Sequence, residues 1–249
     1  MATLNVHFLP ELVSPDDLAD STCVVIDVLR ATTTIAYALA AGAREVIPCL
    51  TIDDARAAAA RLPKGEVLLG GERGGVRIEG FDLGNSPDEF SAERVAGKTI
   101  VFTTTNGTKA MLHCRRARRV LLGSFVNLSA IAARIADAPQ LDLICSGTEG
   151  KITREDVLLA GAVADRLPGD RELNDQAAIA RGAWRESVGA KLGAPGVSER
   201  VLIEALRASR GGRNLIRLKL ERDIEQAARL DRFDLLPRFD PALGRIVVV

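Results

Sequence analysis

The sequence predicts an α/β fold in which helices layer over a mostly parallel or mixed sheet, with a helix-rich C-terminal third. Two observations carry this expectation. Short β-branched runs such as "TCVVIDV", Thr22–Val28, alternate with alanine- and leucine-rich stretches such as "TTTIAYALA". Strand–helix alternation builds parallel sheets covered by helices. Three strand-to-helix corners also carry hydroxyls and small residues, which suggests one polar crevice along one sheet edge, where an open α/β sheet places its ligand. The chain reads as one unit, 1–249, open to division into a sheet part over about 1–170 and a helix-rich part over about 171–249.

The elements follow in order. Apolar, β-branched segments mark strands at Leu4–Leu9, Cys23–Val28, Glu45–Cys49, Val67–Gly70, Thr99–Thr103, Arg119–Leu122, Leu141–Ser146 and Arg245–Val249, because such residues pack well on a pleated surface. Helical patterns lie between them at Thr32–Ala41, Ile52–Arg61, Thr108–Cys114, Leu128–Ala136 and Arg154–Leu167. From Glu172 to Leu230 the pattern is helical throughout, broken at "LGAPG". The connection "GERGGVRIEGFDLGNSPDEF" is glycine-rich and long, and long connections in compact domains are usually functional or disordered.

Composition excludes several function classes. The 33 basic and 33 acidic residues cancel and aromatics are only 4%, so neither a basic field nor stacking platforms argue for nucleic acid. No apolar run approaches the roughly 20 residues of a membrane span, and the N-terminus lacks a secretory pattern. A cytoplasmic enzyme is the expectation, with no membrane partner and a homo-oligomer left open. Cys23, Cys49, Cys114 and Cys145 form no CxxC pair; they read as reduced, buried thiols. A catalytic metal is therefore expected to be a hard cation held by carboxylates.

The first corner holds Asp27, Arg30, Thr32, Thr33 and Thr34. A carboxylate closing an apolar strand is costly unless paired or metal-bound, so Asp27 reads as a metal ligand or nucleophile, or else as a cap or a partner of Arg30. Arg30 offers a planar fork for an oxyanion. The threonines can donate to an anion at a helix start or simply cap it. In the second corner Thr103, Thr104, Thr105, Asn106 and Gly107 precede Lys109, a phosphate cradle or a capped turn with a solvated lysine; no Walker A motif is present. The third corner, "SGTEGKITRED", ends in Glu155 and Asp156, which suit either a helix dipole or a metal. The glycine-rich connection adds Glu72, Arg73, Arg77, Asp82, Asn85 and Ser86. Downstream, Arg210 and Arg213 complete a site or simply solvate a helix surface.

Carboxylates for a cation, together with arginine, lysine and hydroxyls for an anion, suit phosphoryl transfer. Haloacid-dehalogenase phosphatases need a second aspartate two residues after the nucleophile; Leu29 stands there, which sets them aside.

The blocks "VIDVLRATTTI", "GERGGVRIEGFDLGNSP", "TTTNGTKA" and "EDVLLAGA" resemble the signature segments of the 2-phosphosulfolactate phosphatase family over nearly the whole chain. That resemblance implies an α/β fold and a Mg²⁺-dependent phosphatase converting (2R)-2-phospho-3-sulfolactate to 3-sulfolactate and phosphate, a step towards coenzyme M in methanogenic archaea. Asp27, Glu72, Glu155 and Asp156 become the metal candidates. Asp27, Arg30, Asn106 and Lys109 become the catalytic ones. Thr32, Thr33, Thr34, Arg73, Asn85, Thr104, Thr105, Gly107 and Arg210 become the substrate contacts. One departure stands out: the family tends to carry histidine where Gly211 stands in "SRGGRNL". Two other readings remain: a phosphatase for another small phosphorylated hydroxy acid, and a non-catalytic anion-binding protein.

Overall fold

The computed structural model describes residues 2–189 and 198–249. The "LGAPG" break lies outside them. Among the described residues eleven strands form one sheet: β1 (Thr3–His7), β2 (Thr22–Ile26), β3 (Glu45–Pro48), β4 (Val67–Arg73), β5 (Val76–Arg77), β6 (Thr99–Thr103), β7 (Arg119–Gly123), β8 (Gln140–Cys145), β9 (Glu172–Leu173), β10 (Pro237–Asp240) and β11 (Arg245–Val248). The helices are α1 (Ala31–Ala40), α2 (Ile52–Ala60), α3 (Ala92–Val95), α4 (Gly107–His113), α5 (Leu128–Ile135), α6 (Arg154–Arg166), α7 (Asp175–Trp184), α8 (Ser198–Arg207), α9 (Arg210–Arg217) and α10 (Glu221–Ala227). The layered α/β class and the helix-rich C-terminal third are as the sequence predicts.

Side chains of β2 alternate between two cores, as a strand buried on both faces requires. Val24 and Ile26 join α5–α10, whereas Cys23 and Val25 join α1 and α4. Trp184 of α7 stacks on Phe125 with ring centres 5.9 Å apart, an offset contact that aromatic pairs favour. A third cluster under α2 takes Val101 of β6 and Leu69 of β4.

The sheet order is β5-β4-β6-β3-β11-β10-β7-β2-β8-β1-β9. Strands β4, β6 and β3 are mutually parallel, as are β7, β2, β8, β1 and β9. Three successive antiparallel pairings, β3 with β11, β11 with β10 and β10 with β7, separate the two blocks. The blocks therefore run in opposite directions along the sheet. This corrects the expectation of three corners on one edge. Five pairing steps part β6 from β2; at about 20–25° of twist per step the strands rotate by roughly 100–125°. The sheet wraps around α1 and α4, whose core takes side chains from both blocks, and the wrap brings the carboxyl ends of β2, β4 and β6 together.

The glycine-rich connection is partly strand. Strand β4 continues to Arg73, and Gly74 and Gly75, both at positive φ (60° and 85°), turn it into β5. A two-residue hairpin turn of this hand needs that conformation at both positions.

Candidate active site

Asp27 follows β2 and is buried. Its Oδ1 accepts from the Ala31 amide at 3.2 Å, at the start of α1. Its other oxygen faces Gly107: a Cβ there would stand 2.6 Å from Asp27 Oδ2 and 2.5 Å from Ala31 Cβ. The first turn of α4 thus reaches the aspartate only because residue 107 has no side chain. Glu72, near the end of β4, accepts from the Thr105 amide at 2.8 Å through Oε1 and from the Gly75 amide at 2.6 Å through Oε2. It ties the β4–β5 turn to the loop after β6.

Glu155 lies in the first turn of α6 and is 2% exposed. Its Oε1 accepts from the Gly211 amide at 3.0 Å, at the start of α9. Its Oε2 is buried with no hydrogen-bond partner among the described residues, and Asn85 Oδ1 shares that condition. A buried acceptor without a donor is costly, and two such acceptors in one region await a cation or donor. A Cβ at Gly211 would stand 2.1 Å from Glu155 Oε1, so a histidine there requires Glu155 to sit elsewhere.

Asp27, Glu72 and Asn85 line a cavity of about 70 Å³ with Arg30, Thr105, Asn106, Gly74, Gly75, Thr148, Glu149, Gly211 and Asn214; Glu155 reaches its wall through the Gly211 amide. The cavity has room for several waters or one small anion. Burial, reinforced by the charges of Glu72 and Glu155, pushes the Asp27 carboxyl up to about 7. Burial likewise raises Glu155. Among the described residues no three His, Cys, Asp or Glu side chains converge closely enough to cage a metal by themselves. Magnesium commonly uses one or two carboxylates, with waters and phosphate oxygens completing its shell. The donor set of Asp27, Glu72, Glu155 and Asn85 fits such a hard cation.

The structure does not bring every candidate to this cavity. Asp156 lies behind it: Oδ1 accepts from the Val28 amide at 2.9 Å, and Oδ2 from Thr153, Gly147 and Ser146 at 3.0–3.3 Å. Asp156 does not line the cavity and, unlike Glu155, has no unpartnered oxygen, so it splices the ends of β2 and β8 and is removed from the metal candidates. Lys109 points away, half exposed, with Nζ 2.5 Å from Glu11; one position along a helix turns a side chain about 100°, and this one faces solvent. The hydroxyls of Thr32, Thr33 and Thr34 donate to the carbonyls of Asp27, Val28 and Asn85, so they fold the corner. Thr104 bonds Thr108, and Arg73 donates to Thr103 and to the Leu50 carbonyl. Arg210 pairs with Glu149 at 3.1 Å on an adjoining cleft. Arg30 does line the cavity, yet its guanidinium is committed to Asp223 at 2.7 Å and to the Gly75 carbonyl at 2.8 Å. Sequence reasoning missed Asp223 and Asn214, which carry no local signal: each is an ordinary polar residue on a short helix.

The model of the 2-phosphosulpholactate phosphatase family matches residues 7–241. The chain belongs to that family. A relative from Deinococcus radiodurans, named "Probable 2-phosphosulfolactate phosphatase", is 41% identical over 243 residues, 96% of this chain and 93% of the relative. A protein of the same name from Thermotoga petrophila is 42% identical over 218 residues, 87% and 88% of the two chains. One from Carboxydothermus hydrogenoformans is 37% identical over 249 residues, 98% and 96%. The 2-phosphosulpholactate phosphatase match spans every element that lines the cavity, from β2 to α9.

Proposed function

We propose that this chain is a Mg²⁺-dependent phosphoric monoester hydrolase that converts (2R)-2-phospho-3-sulfolactate to 3-sulfolactate and phosphate. The observation that carries the reading is that Asp27, Glu72 and Asn85 line one small cavity, with Glu155 bonded to the Gly211 amide on its wall and close enough for its charge to act on Asp27, and with Glu155 Oε2 and Asn85 Oδ1 unpartnered among the described residues, in a chain of this family. Asp27, Glu72 and Glu155 would hold the cation. When bound, Mg²⁺ neutralises charge on the phosphoryl oxygens and lowers the pKa of water.

The chain's own groups do the rest. The amides that grip Glu72 and Glu155 fix both carboxylates before substrate arrives, and preorganised groups need no rearrangement at the moment of reaction. Asp27 Oδ2, which makes no hydrogen bond of its own among the described residues, is the oxygen available to accept a proton from an attacking water. Its other role, attack on phosphorus itself, uses the same oxygen. Asn85 and Asn106 supply neutral polar contacts at the wall, and Leu29 and Leu215 close the cavity.

Phosphate release from racemic 2-phospho-3-sulfolactate, with Mg²⁺ and then with EDTA, tests the reading in wild type and Asp27→Asn. Release that needs Mg²⁺ and disappears in the folded variant supports it. No release with any divalent metal from folded protein overturns it. Gly211, where the resemblance expects histidine, favours one second reading: a different phosphorylated hydroxy acid, assayed alongside as phospholactate.

A further inference from the structure

The carboxylate cavity adjoins a second cleft of about 360 Å³, lined by Gly74, Thr148, Glu149 and Asn214 together with Arg210, Arg213 and Arg217. The first four also line the cavity, so the two spaces are immediate neighbours. The three arginines lie on α9 at spacings of three and four, which places them on one helical face. Ser209 caps that helix, its Oγ accepting from the Gly212 amide at 3.0 Å.

The charge balance of the two spaces differs sharply. In the cavity the one guanidinium, Arg30, is neutralised by Asp223. On the cleft the one carboxylate, Glu149, pairs with Arg210. The hydrogen bonds of Arg213 and Arg217 go to neutral groups, the Ala208 carbonyl and Asn214 Oδ1. Two guanidiniums are left without a carboxylate partner among the described residues, beside a cavity walled by carboxylates. Arg213 is close enough for its charge to lower the affinity of Glu155 for a proton. A ligand whose phosphoryl group sits among the carboxylates and a bound cation must find the counter-charge for any other anionic group outside the cavity. The planar fork of arginine suits carboxylate and sulfonate oxygens.

We infer, on the phosphatase reading above, that Arg213 and Arg217 form a subsite for the anionic tail of the substrate, a sulfonate or carboxylate on the carbon next to the phosphate-bearing one. They select phosphate monoesters with an oxyanion tail over those with a neutral one. Selection then lives on α9, separate from the carboxylates that serve the phosphoryl group.

The test compares wild type, Arg213→Gln, Arg217→Gln and the double variant in the presence of Mg²⁺, with Arg200→Gln on α8 as control. Competitive inhibition by 3-sulfolactate reads the tail; inhibition by inorganic phosphate reads the cavity. Losing a charge-assisted hydrogen bond is expected to raise the sulfolactate inhibition constant roughly 10-fold or more per arginine. The constant for phosphate stays within twofold. KM for phosphosulfolactate rises while kcat holds, since a tail contact is made equally in ground and transition states. Equal changes for both inhibitors, or none for sulfolactate, in variants of wild-type melting temperature would overturn the subsite. Should wild type release no phosphate, the phosphatase reading fails by itself. Calorimetric titration with 3-sulfolactate then decides the subsite: binding lost in the double variant supports it, and equal or absent binding in wild type overturns it.

Discussion

Arg30 and Asp223, 193 positions apart in sequence, meet at 2.7 Å with both side chains almost wholly buried. The same guanidinium donates to the Gly75 carbonyl at 2.8 Å, and Asp223 accepts from the Ser86 hydroxyl at 2.5 Å. One arginine thus fastens the corner after β2 and the β4–β5 turn, both of which line the cavity, to α10. Burial pushes the Asp223 carboxyl up, and Ser86 and Arg30 pull it back.

Removing one partner of a buried pair strands the other charge, at a cost of about 3–5 kcal/mol. Asp223→Ala is expected to lower the urea midpoint accordingly. Arg30→Met with Asp223→Leu should recover much of that loss, because two apolar side chains leave no stranded charge. If Asp223→Ala melts like wild type, the pair contributes nothing to the frame.

Lys109 was a catalytic candidate on sequence grounds, yet it pairs with Glu11 at the surface. Exposed pairs contribute about 0–1 kcal/mol. Lys109→Ala should therefore leave kcat/KM for phosphate release within about twofold and the melting temperature nearly unchanged. A hundredfold loss of kcat/KM would show that the lysine reaches the substrate after all.

Glu155 and Asp156 are neighbours on α6 with opposite environments. Asp156 accepts four hydrogen bonds that join β2 to β8; an asparagine there turns an N–H against one of those donors. We expect Asp156→Asn to lose about 1–3 kcal/mol, a fall in melting temperature of roughly 2–12 °C at this chain length. Glu155→Gln instead removes a buried carboxylate with an unpartnered oxygen, so without metal it should melt at or above wild type while losing its response to Mg²⁺. Thermal scans in EDTA and in Mg²⁺ separate the two; the reverse ranking would exchange their roles.

Much of the frame was legible because strands such as β6, Thr99–Thr103, declare themselves by unbroken β-branched and apolar content. The reversal of direction across the sheet was not, since it depends on β10, a four-residue strand that opens on Pro237 and holds one fully buried apolar side chain, Phe239. Asp27 and Glu72 could be singled out because a carboxylate at a strand end or beside glycines is locally unusual, whereas Glu155, in a first helical turn, looks like an ordinary dipole-facing acid. Which of Glu155 and Asp156 faces the cavity could not be told, because adjacent helical residues point about 100° apart and the sequence does not set the zero of that angle. Partners such as Asp223 depend on a wrap of the whole sheet, and no local pattern encodes it.

The carboxylate cavity also has a pH signature. In the metal-free protein the Asp27 carboxyl stands near 7 against an ordinary value of 3.8, chiefly through burial, and Glu155 is raised in the same direction. For an acid raised on folding, the native state holds more protons than the unfolded chain between those two values, so stability falls as pH rises. Below about pH 4 both states are protonated and nothing is lost; above about pH 7 the loss is complete and levels off. Mg²⁺ must displace the proton to bind, so its stabilisation grows over the same window. The melting temperature in EDTA is expected to drop between pH 5 and pH 8, and the gain on adding Mg²⁺ to be larger at pH 8. Asp27→Asn removes its share of the slope, which isolates it from every other titrating group. A Mg²⁺ gain equal at pH 5 and pH 8 in wild type, or a slope unchanged in Asp27→Asn, would mean that Asp27 is not among the carboxylates that hold the cation.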